Sequence, residues 1–189
     1  MKTKFPRNLA IEAASDVMSL LYPACDRIIL AGSLRRGKPE VGDVEILYIP
    51  KLQVALADLF GKDVLESAAM AAIEKTLYDG ILQKRQNALG HEMWGARNKF
   101  AVHVASGVPV DLFATTHESW FNYLVFRTGG AESNKRVAMA AAAKGWTWRP
   151  YKAGFSRGEN ELEQWHFVAS EEDVFEFAGM PCLPPEKRP

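Results

Sequence analysis

The chain has 189 residues, of which 48% are hydrophobic and 24% are charged, a composition typical of a globular protein with a sizeable core. Its 23 basic and 23 acidic side chains give a formal net charge of zero, which excludes a protein that coats nucleic acid through overall positive charge. Any polyanion must therefore be held by a local basic patch.

The two cysteines, Cys25 and Cys182, stand far apart in the sequence and belong to no Cys-x-x-Cys motif. This pattern favours reduced thiols in a cytosolic compartment. No apolar run approaches the length of a bilayer span. We therefore expect a cytoplasmic protein with no membrane contact.

The predicted elements of the first part of the chain alternate between helices and short strands. Apolar residues at helical spacing predict a helix over about 6–22, and β-branched runs predict strands at 27–31 and 44–49. Helices are then expected at 54–59 and 62–79. Strands follow at 81–87, 99–105 and 109–113, with Ser106-Gly107 as the turn between the last two.

The second part begins with helices predicted at 119–127 and 134–144, separated by Thr128-Gly129-Gly130. A polar hairpin over about 146–167 precedes a helix at 171–179, whose start at Ser170 resembles a capping box. We therefore predict an α+β fold with a first domain over 1–117, built on a mixed sheet flanked by helices, and a small α+β domain over 118–189.

Two carboxylates stand one residue apart at the start of the strand predicted at 44–49. Side chains alternate between the faces of a strand, so Asp43 and Glu45 should project the same way, while Val44 and Ile46 face a core. The two negative charges repel each other, and a bound cation such as Mg²⁺ removes this repulsion. Asp111, in a later apolar strand, is costly to bury unless it is paired or binds metal.

A Gly-Ser turn with two arginines precedes the carboxylates. Ser33, Arg35 and Arg36 supply a hydroxyl and guanidinium groups that suit phosphate oxygens. Together with the acids, this loop predicts a metal-assisted phosphoryl-transfer site.

An ordered set of motifs over nearly the whole chain resembles the family X DNA polymerases of the polymerase-β-like nucleotidyltransferase superfamily. The motifs are Gly32-Ser33-x-Arg35-Arg36-Gly37, Val41-Gly42-Asp43-x-Glu45, Val110-Asp111-Leu112, Thr128-Gly129-Gly130 with Asn134, and Ser170-Glu-Glu-Asp-Val-Phe175. The resemblance implies a nucleotidyltransferase palm over 1–117 and a nucleotide-covering subdomain over 118–189. We expect this minimal form alone, without a lyase domain or a helix-hairpin-helix DNA-binding region.

The resemblance also implies roles for single residues. Asp43, Glu45 and Asp111 match the carboxylates that hold two Mg²⁺ ions, with Mn²⁺ as an alternative. The residues that match nucleotide contacts are Gly32, Ser33, Arg36 and Gly42 at the phosphates, Phe126 and Gly129 at the sugar, and Asn134 at the base. Lys135 lies where the family approaches the templating base. Glu45 stands where these polymerases usually have Asp, Arg127 replaces an aromatic residue, and Ala138 replaces an arginine.

The implied activity is addition of a dNMP from a dNTP to a DNA 3′-hydroxyl, with release of pyrophosphate and a role in DNA repair. The expected partners are dNTP and a primer-template or gapped DNA, with the protein acting as a monomer. A duplex path is predicted along a set of basic residues, Lys84, Arg85, Arg97, Lys99, Lys152 and Arg157.

Other interpretations stay open at the level of the sequence. The acceptor could be a small molecule, a protein or an RNA, or the chain could be a non-catalytic nucleotide- or DNA-binding relative. Phe126 could belong to the core and Asn134 could serve only the start of a helix. The four histidines show no ligand spacing.

Overall fold

The computed structural model describes residues 3–57, 63–87, 89–158 and 162–189. The helices are α1 (Arg7–Leu21), α2 (Gly32–Arg35), α3 (Ala68–Tyr78), α4 (Trp120–Thr128), α5 (Ala131–Ala143) and α6 (Glu171–Ala178). The strands are β1 (Phe5–Pro6), β2 (Cys25–Leu30), β3 (Glu40–Val41), β4 (Val44–Pro50), β5 (Leu52–Ala57), β6 (Asp63–Ser67), β7 (Leu82–Lys84), β8 (Asn98–His103), β9 (Pro109–Ala114), β10 (Thr147–Arg149), β11 (Gly154–Arg157) and β12 (Gln164–Phe167). The predicted α+β class is confirmed.

The chain divides into two compact units. The first unit contains Met1–Leu30 and Pro39–Ala114, and the second contains Ala31–Lys38 and Thr115–Pro189. The Gly-Ser loop therefore groups with the second unit, whereas all three predicted metal ligands lie in the first. The last change from the first unit to the second falls between Ala114 and Thr115, close to the predicted boundary at residue 117.

A five-stranded mixed sheet organises the first unit. Its strand order is β2-β4-β9-β8-β7, and β4 and β9 run parallel while the other pairs are antiparallel. Helix α1 packs against β2 and β4, and α3 packs against β4. The apolar residues of α1 recur every three or four positions, at Ala10, Ala13, Ala14, Val17 and Leu21, and burying this stripe stabilises the helix on the sheet.

Most predicted elements of the first unit are confirmed, with ends shifted by a few residues. The predicted helix over 54–59 is wrong within the described residues, because β5 pairs there with β6. The helix predicted over 62–79 is wrong at its start, where β6 runs, and confirmed from Ala68 onward. The parts of these predictions over 58–62 lie outside the described residues.

The second unit packs α4, α5 and α6 with the three-stranded antiparallel sheet β10-β11-β12. Its core includes Val125, Val137, Trp148, Phe155 and Phe175. The predicted hairpin is a sheet with one more strand than expected. At the start of α6 the Asp173 amide donates to Ser170 Oγ at 3.0 Å, which confirms the cap. Gly179, at φ 73°, adopts the left-handed conformation that ends the helix.

Across the described ranges, every helix is too short or too polar to cross a lipid bilayer.

Candidate active site

One row of side chains crosses the sheet of the first unit and contains two of the predicted metal ligands. Glu45 on β4 and Asp111 on β9 are register partners in the parallel pair. Phe100 on β8 is the partner of Asp111 on its other side. The Arg85 amide, just after β7, donates to the Phe100 carbonyl at 3.0 Å. Register partners share a face of a sheet, so the row runs Arg85, Phe100, Asp111, Glu45.

The Arg85 side chain reaches across Phe100 to Asp111. Its Nη2 donates to Asp111 Oδ1, and its guanidinium carbon lies 4.8 Å from the centroid of the Phe100 ring. The Asp111 side chain is only 11% exposed and the Arg85 side chain 24%. A carboxylate that is so buried needs a hydrogen-bonded counter-charge, which Arg85 supplies.

The third predicted ligand, Asp43, directly precedes the first residue of β4 and is partly buried. Carboxylates from two adjacent strands are hard oxygen donors, so the chemistry and the backbone positions of Asp43, Glu45 and Asp111 fit a divalent cation. Among the described residues, however, no three Asp, Glu, His or Cys side chains are grouped as a metal cluster. Arg85 occupies one oxygen of Asp111, so a bound cation and the guanidinium would share this carboxylate.

The predicted phosphate loop, Gly32-Ser-Leu-Arg-Arg-Gly37, contains the single helical turn α2. Gly32, at φ 58°, takes a backbone conformation that other residues rarely adopt, and α2 begins at this position. The amide of Arg36 donates to the Gly32 carbonyl at 3.2 Å, and that of Lys38 donates to the Ser33 carbonyl at 3.1 Å. Gly42, also predicted at the phosphates, is buried in the first unit between β3 and β4.

Both arginines of the loop bond to Thr128, the last residue of α4. Arg35 Nη1 donates to Thr128 Oγ1 at 2.7 Å, and Arg36 Nη1 donates to the Thr128 carbonyl at 2.5 Å. The second unit thus joins the predicted phosphate loop directly to the predicted sugar-contact turn. The prediction assigns the Arg36 guanidinium to phosphate. In this structure its Nη1 donates instead to a carbonyl within the chain.

Glu171, at the start of α6, binds two arginines. Arg35 donates to its two carboxylate oxygens at 2.6 and 3.1 Å, and Arg188 Nη2 donates at 2.8 Å. Burial by itself raises the pKa of Glu171, but the hydrogen bonds and charges of the two arginines outweigh that effect and hold the pKa below its ordinary value. The ion pairs therefore fix Arg35 and leave the loop tied to α6.

The predicted sugar and base contacts lie together at the junction of α4 and α5. Asn134 Nδ2 donates to the Phe126 carbonyl at 2.8 Å, while Asn134 Oδ1 is buried without a hydrogen-bond partner in the described residues. A Cβ on Gly129 would lie 2.5 Å from that same oxygen. Phe126 packs edge-on against Trp148 and Tyr151, with ring centroids 5.8 and 5.2 Å away. Gly129 is therefore required for the close approach of Asn134.

The residues predicted along a duplex path have differing environments. Lys135 and Lys152 are exposed. Lys84 is paired with Glu92 at 3.1 Å, and Arg157 donates to Gln164 at 2.7 Å. Arg85 is bonded to Asp111, as described above. The prediction for Lys99 is wrong, because this side chain is 2% exposed and donates to the Gly95 carbonyl at 2.8 Å.

Sequence reasoning missed the partners that hold the predicted residues. Glu171, Arg188 and Thr128 order the loop arginines, and Arg85 neutralises Asp111. The spacing of these residues carries no signal, since they lie 17 to 136 positions from their partners. Strand pairing brings Arg85 to Asp111, and the packing of α4 and α6 brings Thr128 and Glu171 to the loop arginines.

Comparison with known proteins supports part of this interpretation. Residues 123–189 match the family model described as DNA polymerase beta thumb. No curated protein matches the chain. The matched range contains α5, α6 and the sheet β10-β11-β12, together with Asn134 and Glu171. The match shows that the C-terminal part of this chain is similar to a DNA polymerase β thumb.

Proposed function

We propose that the protein is a minimal family X-like nucleotidyltransferase, with a palm and a C-terminal subdomain. It transfers a dNMP from a dNTP to the 3′-hydroxyl of a primer-template or gapped DNA and releases pyrophosphate. The observation that carries the proposal is the pairing of Glu45 with Asp111 on adjacent parallel strands, with Asp43 two residues before Glu45. The thumb match over 123–189 supports DNA as the partner.

The three carboxylates would hold two divalent cations, Mg²⁺ or Mn²⁺. When bound, such ions supply charge neutralisation and activate a hydroxyl for in-line displacement. We assign Asp43 and Glu45 to ligation, and Asp111 to ligation together with orientation of the primer hydroxyl. Arg85 positions the Asp111 carboxylate through their hydrogen bond.

We assign the nucleotide contacts to residues of the second unit and to Gly42. We assign the hydroxyl of Ser33, the guanidinium of Arg36 and the amides of Gly32 and Gly42 to the triphosphate. Phe126 and Gly129 would bound the sugar. The buried Asn134 Oδ1, which lacks a hydrogen-bond partner in the described residues, supports a role for Asn134 at the base, because a buried acceptor is costly until a donor reaches it.

A second candidate is a non-catalytic DNA-binding relative. Two side chains that the polymerase proposal needs for metal and phosphate are hydrogen-bonded within the chain, which favours this candidate. Asp111 is bonded to Arg85, and Arg36 to the Thr128 carbonyl. Such a protein would bind DNA through its thumb-like subdomain without turnover. Direct measurement of turnover separates the two candidates.

The test is extension of a labelled primer on gapped DNA with dNTP and Mg²⁺ by the wild-type protein and by Asp43→Ala, Asp111→Ala and the control Asp79→Ala. Asp79 is paired with Lys75 on α3, away from the row. The proposal predicts extension by the wild type and by the control, and none by the other two variants. Equal extension by all four, or none by the wild type under conditions in which it binds the DNA, contradicts it.

A further inference from the structure

The outer face of the sheet β10-β11-β12 carries two aromatic rings that are not part of the core of the second unit. Trp165 and Phe167 lie two residues apart on β12 and so share a face. Their rings are nearly parallel, at an interplanar angle of 15°, with centroids 6.3 Å apart. Phe167 is 69% exposed, which is unusual for a large apolar side chain beside another aromatic ring.

Two rows of register partners extend this face across the sheet. Phe167 is opposite Gly154, which is opposite Arg149; Trp165 is opposite Ser156, which is opposite Thr147. The central strand thus contributes only a glycine and a buried serine. Aromatic rings border one side, an exposed arginine borders the other, and the two outer strands lie roughly 9–10 Å apart.

The arginine on this face is held in place. Arg149 Nε donates to Ser156 Oγ at 3.0 Å, so the guanidinium lies along the sheet while the residue stays exposed. A guanidinium that is already ordered loses little freedom when it binds phosphate. Lys152, in the turn between β10 and β11, is a second exposed cation near the end of β10.

The opposite edge carries negative charge. Beyond β12, a cavity of about 360 Å³ is lined by Phe167, His166, Phe177, Asp173 and Glu176. Phosphates are repelled from the two carboxylates at this edge and attracted to Arg149 at the other. The charge pattern therefore orients an extended polyanion that has flat apolar groups, with bases over the rings and phosphates towards β10.

We propose that this aromatic face, defined by Thr147, Arg149, Gly154, Ser156, Trp165 and Phe167, binds unpaired nucleotides of a DNA substrate. Bases stack on Trp165 and Phe167, because every base offers a flat π-surface, and Arg149 contacts a phosphate. The inference rests on the proposed function in taking DNA as the partner. It adds a contact for single-stranded DNA next to a gap or primer terminus, without requiring turnover.

The experiment measures fluorescence anisotropy of a labelled thymidine decamer and of a blunt hairpin duplex, titrated with the full chain at several salt concentrations without nucleotide or metal. The variants are Phe167→Ala and Arg149→Gln, and the control is Tyr78→Ala on α3, where the side chain is 92% exposed. Circular dichroism and thermal unfolding establish that each variant is folded.

Phe167→Ala should weaken binding of the decamer about tenfold without changing its salt dependence, since stacking is lost but no charge is removed. Arg149→Gln should reduce the slope of log affinity against log salt by about 0.7, the value for one phosphate contact on a single strand. Tyr78→Ala should bind as the wild type does. Duplex binding should be changed less than decamer binding in both variants.

The proposal is overturned if the wild type does not bind the decamer, if Phe167→Ala binds it unchanged, or if both variants lose duplex and decamer equally. Primer extension, run in parallel, keeps this result separate from the proposed activity. Decamer binding that depends on Phe167 in a protein without extension overturns the polymerase proposal alone. If the protein extends primers but Phe167→Ala leaves decamer binding unchanged, the proposal for the aromatic face alone is overturned.

Discussion

Arg85 and Asp111 form a hydrogen-bonded ion pair across the intervening strand β8, and the Phe100 ring lies under the guanidinium. The pair places a fixed positive charge on one of the three carboxylates proposed to bind metal. Arg85 therefore has two effects: it stabilises the buried acid, and its positive charge opposes the binding of a cation at the same carboxylate.

Arg85→Met should lower the free energy of unfolding by about 1–3 kcal/mol, because the partly buried carboxylate loses its partner. Mn²⁺ should then raise the melting temperature of the variant by more than it raises that of the wild type, since the ion no longer meets a positive charge beside Asp111. Thermal unfolding with and without Mn²⁺ measures both effects.

Lys84→Met is the matched control, because Lys84 precedes Arg85 and its ion pair with Glu92 is exposed. It should change the free energy of unfolding by no more than about 0.5 kcal/mol and leave the response to Mn²⁺ unchanged. An equal response to Mn²⁺ in wild type and Arg85→Met would show that the two cations do not compete.

The sequence is sufficient to predict the α+β class and most strands of the first unit, because their β-branched runs are bounded by turn residues. It misleads at β5, where Val54-Ala-Leu-Ala has strong helix formers. Pairing with β6 overrides that local preference, and a register of this kind depends on a segment that lies later in the chain.

The candidate site shows the same division between local and long-range information. Asp43 and Glu45 can be recognised from alternation along one strand. The bond between Arg85 and Asp111 spans 26 positions and depends on how β7, β8 and β9 align. No spacing rule connects residues across a third strand, so the counter-charge of Asp111 emerges only from the sheet.

Glu171→Gln should remove a component of acid sensitivity. Because the folded-state pKa of Glu171 is below its ordinary value of 4.5, the stability it contributes is present above that value and is lost as pH falls towards the folded pKa. The variant should unfold more easily by about 2 kcal/mol at neutral pH, with the difference from wild type shrinking below pH 4.5. Urea unfolding from pH 7 to pH 3 measures it.

The exposed neighbour Glu172 provides the control for this series. Glu172→Gln should change the free energy of unfolding by no more than about 0.5 kcal/mol at neutral pH. A difference between Glu171→Gln and wild type that stays constant down to pH 3 would show that the ion pairs with Arg35 and Arg188 do not depress the pKa.

Gly129→Ala should destabilise the second unit by about 1–2 kcal/mol, because the new Cβ would lie 2.5 Å from Asn134 Oδ1 and 3.2 Å from the Val125 carbonyl. Asn134 must then give up its bond to the Phe126 carbonyl. Combining the change with Asn134→Ala should recover part of the loss, and a double-mutant cycle in urea measures the coupling. Gly95→Ala, whose Cβ would have its nearest neighbour at 4.0 Å, is the control.

Lys99→Met tests the cost of the buried lysine in the first unit. Burial lowers the pKa of Lys99 from 10.5, an effect that the nearby charge of Glu74 partly opposes. Between the lowered pKa and 10.5 the unfolded chain binds the extra proton, so wild-type stability should gain from this residue as pH rises through that range. The variant lacks this gain and should be as stable as the wild type or more stable at pH 7, since a methionine fills similar volume without a charge.

Thermal unfolding from pH 7 to 10.5 measures the difference, with Lys75→Met on the exposed side of α3 as the control. A difference in stability between wild type and variant that is constant over the whole range would show that the Lys99 ammonium keeps its proton equally in the folded and unfolded states.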